Sequence, residues 1–250
     1  GAGHVARRWA GRQRGGTRCP GTRSGGRAVR PRRVSWADAM VQHSSFTKHI
    51  ELLTACAACP NVLGRPVVGA VPGAQVVLVG QAPGPHEADS RRPFAYTAGR
   101  RLFSWMSDLG IDEATFRERV HIAAVIRCFP GKDAKSGGDR VPDDDEIARC
   151  GAHLDREITI LKPKLMIAVG TLASQQLIGI AQLKEAVGRM HRAKRAGRSF
   201  DVIVLPHPSG RSTWLNKPEN AALMRASLRL IAAHPAFVAT FASTRPATSR

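Results

Sequence analysis

No stretch of this 250-residue chain approaches the run of about 20 apolar residues that a membrane-spanning helix needs, so no membrane association is expected. The first residues lack the continuous apolar segment of a secretory leader. No internal repeat is visible, which argues against solenoids and propellers. Cysteine is sparse, with five in all. The expected compartment is the cytosol, where such thiols stay reduced rather than paired in disulfides. Acidic side chains are also scarce: 19 Asp and Glu stand against 38 Lys and Arg, for a formal net charge of +19. So basic a chain predicts partners that carry phosphate, bound in a salt-dependent way. The plainer alternative is a solvated basic surface.

The charge is uneven. Residues 1–39 hold ten arginines and one acid, so about half of the excess sits there and a net +10 remains on residues 40–250. That Gly- and Arg-rich segment, with Trp9 and Trp36 its only aromatics, cannot bury enough apolar surface to offset the entropy of ordering. It is expected to be a disordered extension, either a basic tail gripping nucleic acid or sequence upstream of a start at Met40.

Patterned sequence begins soon after. Phe46 to Ala55 has helical spacing and runs into Cys56-Ala-Ala-Cys59. Val76 to Val79, Val120 to Ile126, Leu165 to Val169 and Val202 to Leu205 are short, nearly all-apolar runs that read as buried strands. Between them lie helical patterns. Ala98 to Leu109 puts Leu102, Trp105, Met106 and Leu109 on one face, with Gly110 as its stop; Asp143 to Glu146 supplies acids to the first turn of the next helix. Alternating strands and helices, with strands apolar on both faces, predict a three-layer α/β/α sandwich around a central four-stranded parallel sheet. The expected domain is 40–235, followed by a loose Thr/Ser/Ala-rich tail over 236–250.

Two loops draw attention, Gly80-Gln-Ala-Pro-Gly84 and His207-Pro-Ser-Gly210, because each follows a buried strand. Ligands of open parallel sheets sit beyond the carboxyl ends of the strands, so one site built from both loops is expected. Setting Cys19 aside with the unusual N-terminus, Cys56, Cys59, Cys128 and Cys150 form a four-thiolate set. That set fits either a [4Fe-4S] cluster or structural zinc.

Taken in order, Cys56-Ala-Ala-Cys59, Gly80-Gln-Ala-Pro-Gly84, Arg92-Pro-Phe94 with Ala98-Gly99, Cys128-Phe-Pro, Glu146-Ile with Cys150, Lys162-Pro-Lys, Val169-Gly170 and His207-Pro-Ser209 resemble the uracil-DNA glycosylase superfamily, most closely its iron–sulfur family 4. The resemblance implies a monomeric DNA-repair enzyme that flips uracil out of DNA and hydrolyses its N-glycosidic bond. It implies that the four cysteines hold a [4Fe-4S] cluster, that Phe94 stacks on the flipped base, and that His207 donates a hydrogen bond to uracil O2. Gly80, Ala82, Pro83 and Gly84 would shape the base pocket. Ser209, Gly210, Arg211 and Ser212 would meet the DNA backbone, with Trp214 or Leu215 as the wedge entering the vacated stack. Its DNA would be that of a bacterial nucleoid.

Two positions depart from the family pattern. Gln81 stands where family 4 carries Glu, and an amide cannot be a general base; either Gln81 acts in catalysis by only placing the water for a dissociative, oxocarbenium-like step, or another acid substitutes, Glu87 and Asp89 being the nearest. Ala124 stands where the family has a uracil-reading Asn, which predicts looser base selection. Two other readings remain: a tight or covalent binder of uracil or abasic DNA with little turnover, and a non-enzymatic nucleotide- or phosphate-binding protein with structural metal.

Overall fold

The computed structural model describes residues 36–210 and 212–242. The expectation of disorder for residues 1–35, and Cys19 with it, lies outside that range. Trp36–Ala39, assigned by sequence to the disordered extension, instead open helix α1 (Trp36–Thr54).

A five-stranded sheet in the order β2-β1-β3-β5-β4 organises the molecule, built from β1 (Val76–Gly80), β2 (His121–Ala124), β3 (Leu165–Val169), β4 (Met190–Arg195) and β5 (Arg198–Leu205). Four strands are parallel, as expected; β4 is an additional antiparallel edge. It was missed because Met190, Arg192 and Lys194 are exposed and only Ala193 is buried, which leaves no apolar run to read. Ala196 and Gly197, both at positive φ (50° and 70°), make the tight turn into β5. That geometry matches the twist of a two-residue hairpin.

Every residue of β1, β2 and β3 is buried. Side chains alternate between two cores, as the period of a strand requires. Val77, Val79, Met166, Ala168, Val202 and Val204 meet α1, α5 (Asp144–Leu161) and α6 (Thr171–Ile178) through Phe46, Leu154, Ile158 and Leu172. On the other face Val76, Leu78, Ile167, Val169, Ile203 and Leu205 meet α3 (Thr97–Ser107), α4 (Glu113–Arg119) and α8 (Pro218–Ala233) through Leu102, Met106, Phe116 and Leu228. The result is the three-layer sandwich. Helix α5 starts as its acids predict: Asp143 accepts from the Glu146 N–H at 2.8 Å, and Glu146 accepts from the Asp143 N–H at 3.0 Å.

The expected loose tail is corrected in part. Pro235–Phe241 forms helix α9, with Pro235 in its first turn and His234 accepting from the Ala236 N–H at 3.1 Å. Phe237 and Phe241 are buried, the second 6.3 Å from Phe116 between ring centres. Long-range aromatic packing overrides a composition that looks loose when read locally.

Candidate active site

The strand order reverses beside β1, whose neighbours β2 and β3 lie on opposite sides. Such a reversal opens a crevice at the carboxyl ends of the strands. The Gly80 loop leaves β1 there, Gly170 ends β3, and His207 follows β5. A cavity of about 630 Å³ opens at this end, lined by Gln81, Ala82, Pro83, Gly84, Phe94, His207, Ser209 and Gly210 among others. The structure thus brings together most of the site expected from sequence.

His207 is the best defined of these groups. Its Nδ1 accepts a hydrogen bond from the Ser209 N–H at 3.2 Å. In a neutral imidazole the proton must then sit on Nε2, which becomes a donor. Burial holds the His207 pKa below the ordinary histidine value, with Asp139 pulling weakly the other way. Gly170, at φ +88°, makes room for the ring: a Cβ built there would lie 3.4 Å from His207 Cδ2. Arg101 fixes the Ser209 carbonyl at 3.1 Å.

Phe94 is held in a left-handed conformation, φ 53°, that a non-glycine residue adopts only under constraint. The constraint is visible. Arg117 donates to the carbonyls of Pro93 at 2.8 Å and Phe94 at 3.0 Å, and its Nε is held by Glu113 at 2.8 Å. Gly99 sits against the same peptide, where a Cβ would fall 1.7 Å from the Phe94 carbonyl oxygen. The ring lies over Gly80, whose Cβ, if present, would approach Phe94 Cζ to 3.1 Å. Gly80 therefore supports the pocket from beneath rather than lining it.

Glu87, in the short helix α2 (Pro85–Ser90), ties the two loops together. Its carboxylate accepts from the Gly84 N–H at 2.8 Å, and burial pushes its pKa up against the N–H groups of Gly84, Phe94 and Ala95 that favour the charged form. Its oxygens are engaged by backbone, so it serves as a structural clasp rather than the substitute base expected from sequence. Asp89 is exposed and outside the cavity wall.

Not every expected residue lines the cavity. Ala124 lies outside the cavity wall, and its carbonyl accepts from Arg127 Nε at 3.0 Å. Ser212 is also outside the wall, closing a turn on the Ser209 carbonyl at 3.2 Å. Trp214 and Leu215 are partly buried, each packed against one of the two cores. Arg211 lies outside the described residues. Three groups were not anticipated. The His86 and Tyr96 rings lie 4.0 Å apart on the rim, tilted by 38°, and Asp139 reaches the wall from the polar segment after Pro130.

A second cavity, of about 460 Å³, is lined by Cys56, Cys59, Cys128 and Cys150 together with Arg149 and His153. Burial pushes the Cys128 thiol up to about 12, and Cys150, Cys59 and Cys56 push the same way. Four sulfurs whose anions repel one another across a shared cavity are a donor set suited to a cationic group. Among the described residues no three His, Cys, Asp or Glu side chains already converge on a single ion position. The Arg127 N–H donates to Cys150 Sγ at 3.3 Å. Behind it the fully buried Arg127 guanidinium is paired with Glu157, which His121 and His49 also approach.

Comparison with known proteins agrees with this geometry. The profile of the uracil DNA glycosylase superfamily matches residues 66–231. A type-4 uracil-DNA glycosylase of Pyrobaculum aerophilum is 31% identical over 64% of this chain and 80% of its own length. One from Sulfurisphaera tokodaii is 34% identical over 66% of this chain and 74% of its own. Another, from Archaeoglobus fulgidus, is 28% identical over 54% and 66%. The motif order, the crevice at the strand ends and a family match over well over half of the chain lead to one conclusion: this protein belongs to the uracil DNA glycosylase superfamily.

Proposed function

We propose that the protein hydrolyses the N-glycosidic bond of uracil in DNA. The observation that carries this reading is the placement of a neutral His207, protonated on Nε2, in the same cavity as Phe94 and Gln81. A uracil turned out of the duplex would stack on Phe94 and present O2 to the Nε2–H of His207. As the C1′–N1 bond lengthens, charge builds on the base and that hydrogen bond strengthens. Such stabilisation is commonly the largest catalytic contribution. Gln81 can orient a water but cannot take its proton.

The net charge supports an electrostatic grip on the phosphate backbone. Ser209 and Gly210, which line the cavity beside His207, would meet that backbone. Among the described residues no helix is long and apolar enough to cross a membrane.

The four cysteines would hold a [4Fe-4S] cluster. A cavity of about 460 Å³ with sulfur on its wall suits a multi-atom cluster better than one zinc ion in a closed tetrahedral site. When bound, the group would supply structural cross-linking of the segment after α1, the segment after β2, and α5. The chemistry belongs to the residues of the 630 Å³ cavity that holds His207, Phe94 and Gln81.

The test is incubation with labelled duplexes carrying uracil, hypoxanthine, xanthine or a normal base, followed by alkali cleavage at abasic sites. Cleavage at uracil supports the reading, and the spread over other bases measures selectivity. The amide at Gln81 favours a second reading, a binder with little turnover, which would give a retained complex and no abasic site.

A further inference from the structure

A hydrolytic glycosylase must find a place for the proton of the attacking water, and the residues facing the cavity narrow the choice. Gln81 is an amide, and His207 uses its single proton as a donor. Two carboxylates line the wall, Glu87 and Asp139. Glu87 is occupied by backbone N–H groups. Asp139 is different. Its Oδ1 is held by Lys132 Nζ at 2.6 Å, while Oδ2 points toward the first loop, 3.5 Å from where a Cβ on Gly84 would stand.

The segment that carries Asp139 is folded back on itself rather than trailing in solvent. The Asp133 N–H donates to the Gly138 carbonyl at 2.8 Å and the Arg140 N–H to the Gly131 carbonyl at 2.9 Å, with a bridge pairing Lys132 and Asp139. Arg140 then locks it to α5. Its guanidinium reaches Glu146 at 2.7 and 2.9 Å and the Pro130 carbonyl at 2.9 Å. A residue on such a scaffold can hold a carboxylate at a set place.

We infer that Asp139 is a further catalytic residue, the carboxylate that orients and deprotonates the water attacking C1′. The inference rests on the glycosylase reading above. In the step, the C1′–N1 bond breaks and its electron pair leaves with the base, its O2 held by His207. Water oxygen forms the new C1′–O bond, and its proton passes to Asp139 Oδ2. The products are an abasic sugar with a 1′-hydroxyl and a uracil anion. That anion takes a proton from solvent, to which Asp139 returns its own.

The test compares wild type, Asp139→Asn and the double variant Asp139→Asn with Gln81→Glu. Uracil release is measured in single turnover, and affinity on a duplex with an uncleavable 2′-fluoro-uridine. Loss of a general base should slow release by about 100-fold or more with affinity unchanged. The double variant, with a carboxylate restored to the same cavity, should recover most of the rate. That recovery would also show that the Asn variant folds. Wild-type release by Asp139→Asn overturns the inference and leaves the glycosylase reading standing. So does a loss of rate matched by an equal loss of affinity. No release by wild type overturns both.

Discussion

Gly99 offers a direct probe of how Phe94, the proposed stacking residue, is held. An alanine methyl at this position would sit 1.7 Å from the Phe94 carbonyl oxygen. Ordinary carbon–oxygen contact requires the two to separate by roughly 1.5 Å more. The carbonyl cannot simply retreat, because Arg117 grips it at 3.0 Å and the preceding carbonyl at 2.8 Å, and Phe94 already occupies a left-handed conformation. The displacement must therefore reach the ring, which rests on Gly80. An error of about 1 Å in positioning can cost roughly 100-fold in rate, and overpacking of this kind costs about 1–3 kcal/mol in stability. Gly99→Ala should lower the urea midpoint and reduce single-turnover uracil release by about 100-fold, with duplex binding less affected. Release at the wild-type rate would falsify the clamp, since it would mean that the Phe94 loop yields without consequence.

The remaining predictions concern the two cavities and the buried Arg127–Glu157 pair. His207→Ala should lose about 100- to 1,000-fold in base release while keeping its affinity for uncleavable duplex; unchanged release would remove His207 from the chemistry. Because burial depresses its pKa, the His207 ring should titrate below the ordinary value of about 6.5 by NMR, and lower still in Asp139→Asn; a midpoint above 6.5 would contradict its placement. Cys128→Ala should abolish the brown absorbance and bound iron of anaerobically purified protein and weaken folding; a colourless, iron-free wild type would argue against the cluster. Burial alone would raise Glu157, but Arg127 and His121 hold it well below the carboxylate range. Its stabilising effect should thus be complete above about pH 4.3, the unfolded value, and fade as pH falls through the lower folded one. Glu157→Gln strands the buried Arg127 charge and should cost about 3–5 kcal/mol at neutral pH, read from urea melts across pH; a melt matching wild type would refute the pairing.

What the chain revealed before folding depended on the range of the cause. β1 and β3 are short apolar runs that declare themselves, and Asp143 with Glu146 marks the start of α5 within four residues. The glycine loop after β1 and the histidine after β5 were legible because fold logic places sites at strand ends. Asp139 was not, since nothing local shows that its segment folds back toward a loop more than fifty residues upstream. Nor was the tautomer of His207, which depends on one backbone N–H. Ala124 was expected in the base pocket through motif order, yet the wall passes it by. Glu87 shows the opposite error: proximity in sequence suggested a base, and three backbone donors had claimed it.

The margins of the sheet carry a consequence of their own. Parallel sheets assemble from distant segments, so they are slow to complete and their open borders invite strands from other molecules. Here the β2 border is met by the 67–69 segment, with Gly69 and Ile122 exchanging hydrogen bonds at 2.9 Å. The β4 border instead carries two exposed cations, Lys194 and Arg192, the second paired with Asp201 at 2.8 Å. An intruding strand would have to strip water from those cations and, if it came from another copy, meet the same charges on its own border. The basic hairpin that sequence reading passed over thus acts as a guard against fibrous assembly while newly made chains are still completing their cores.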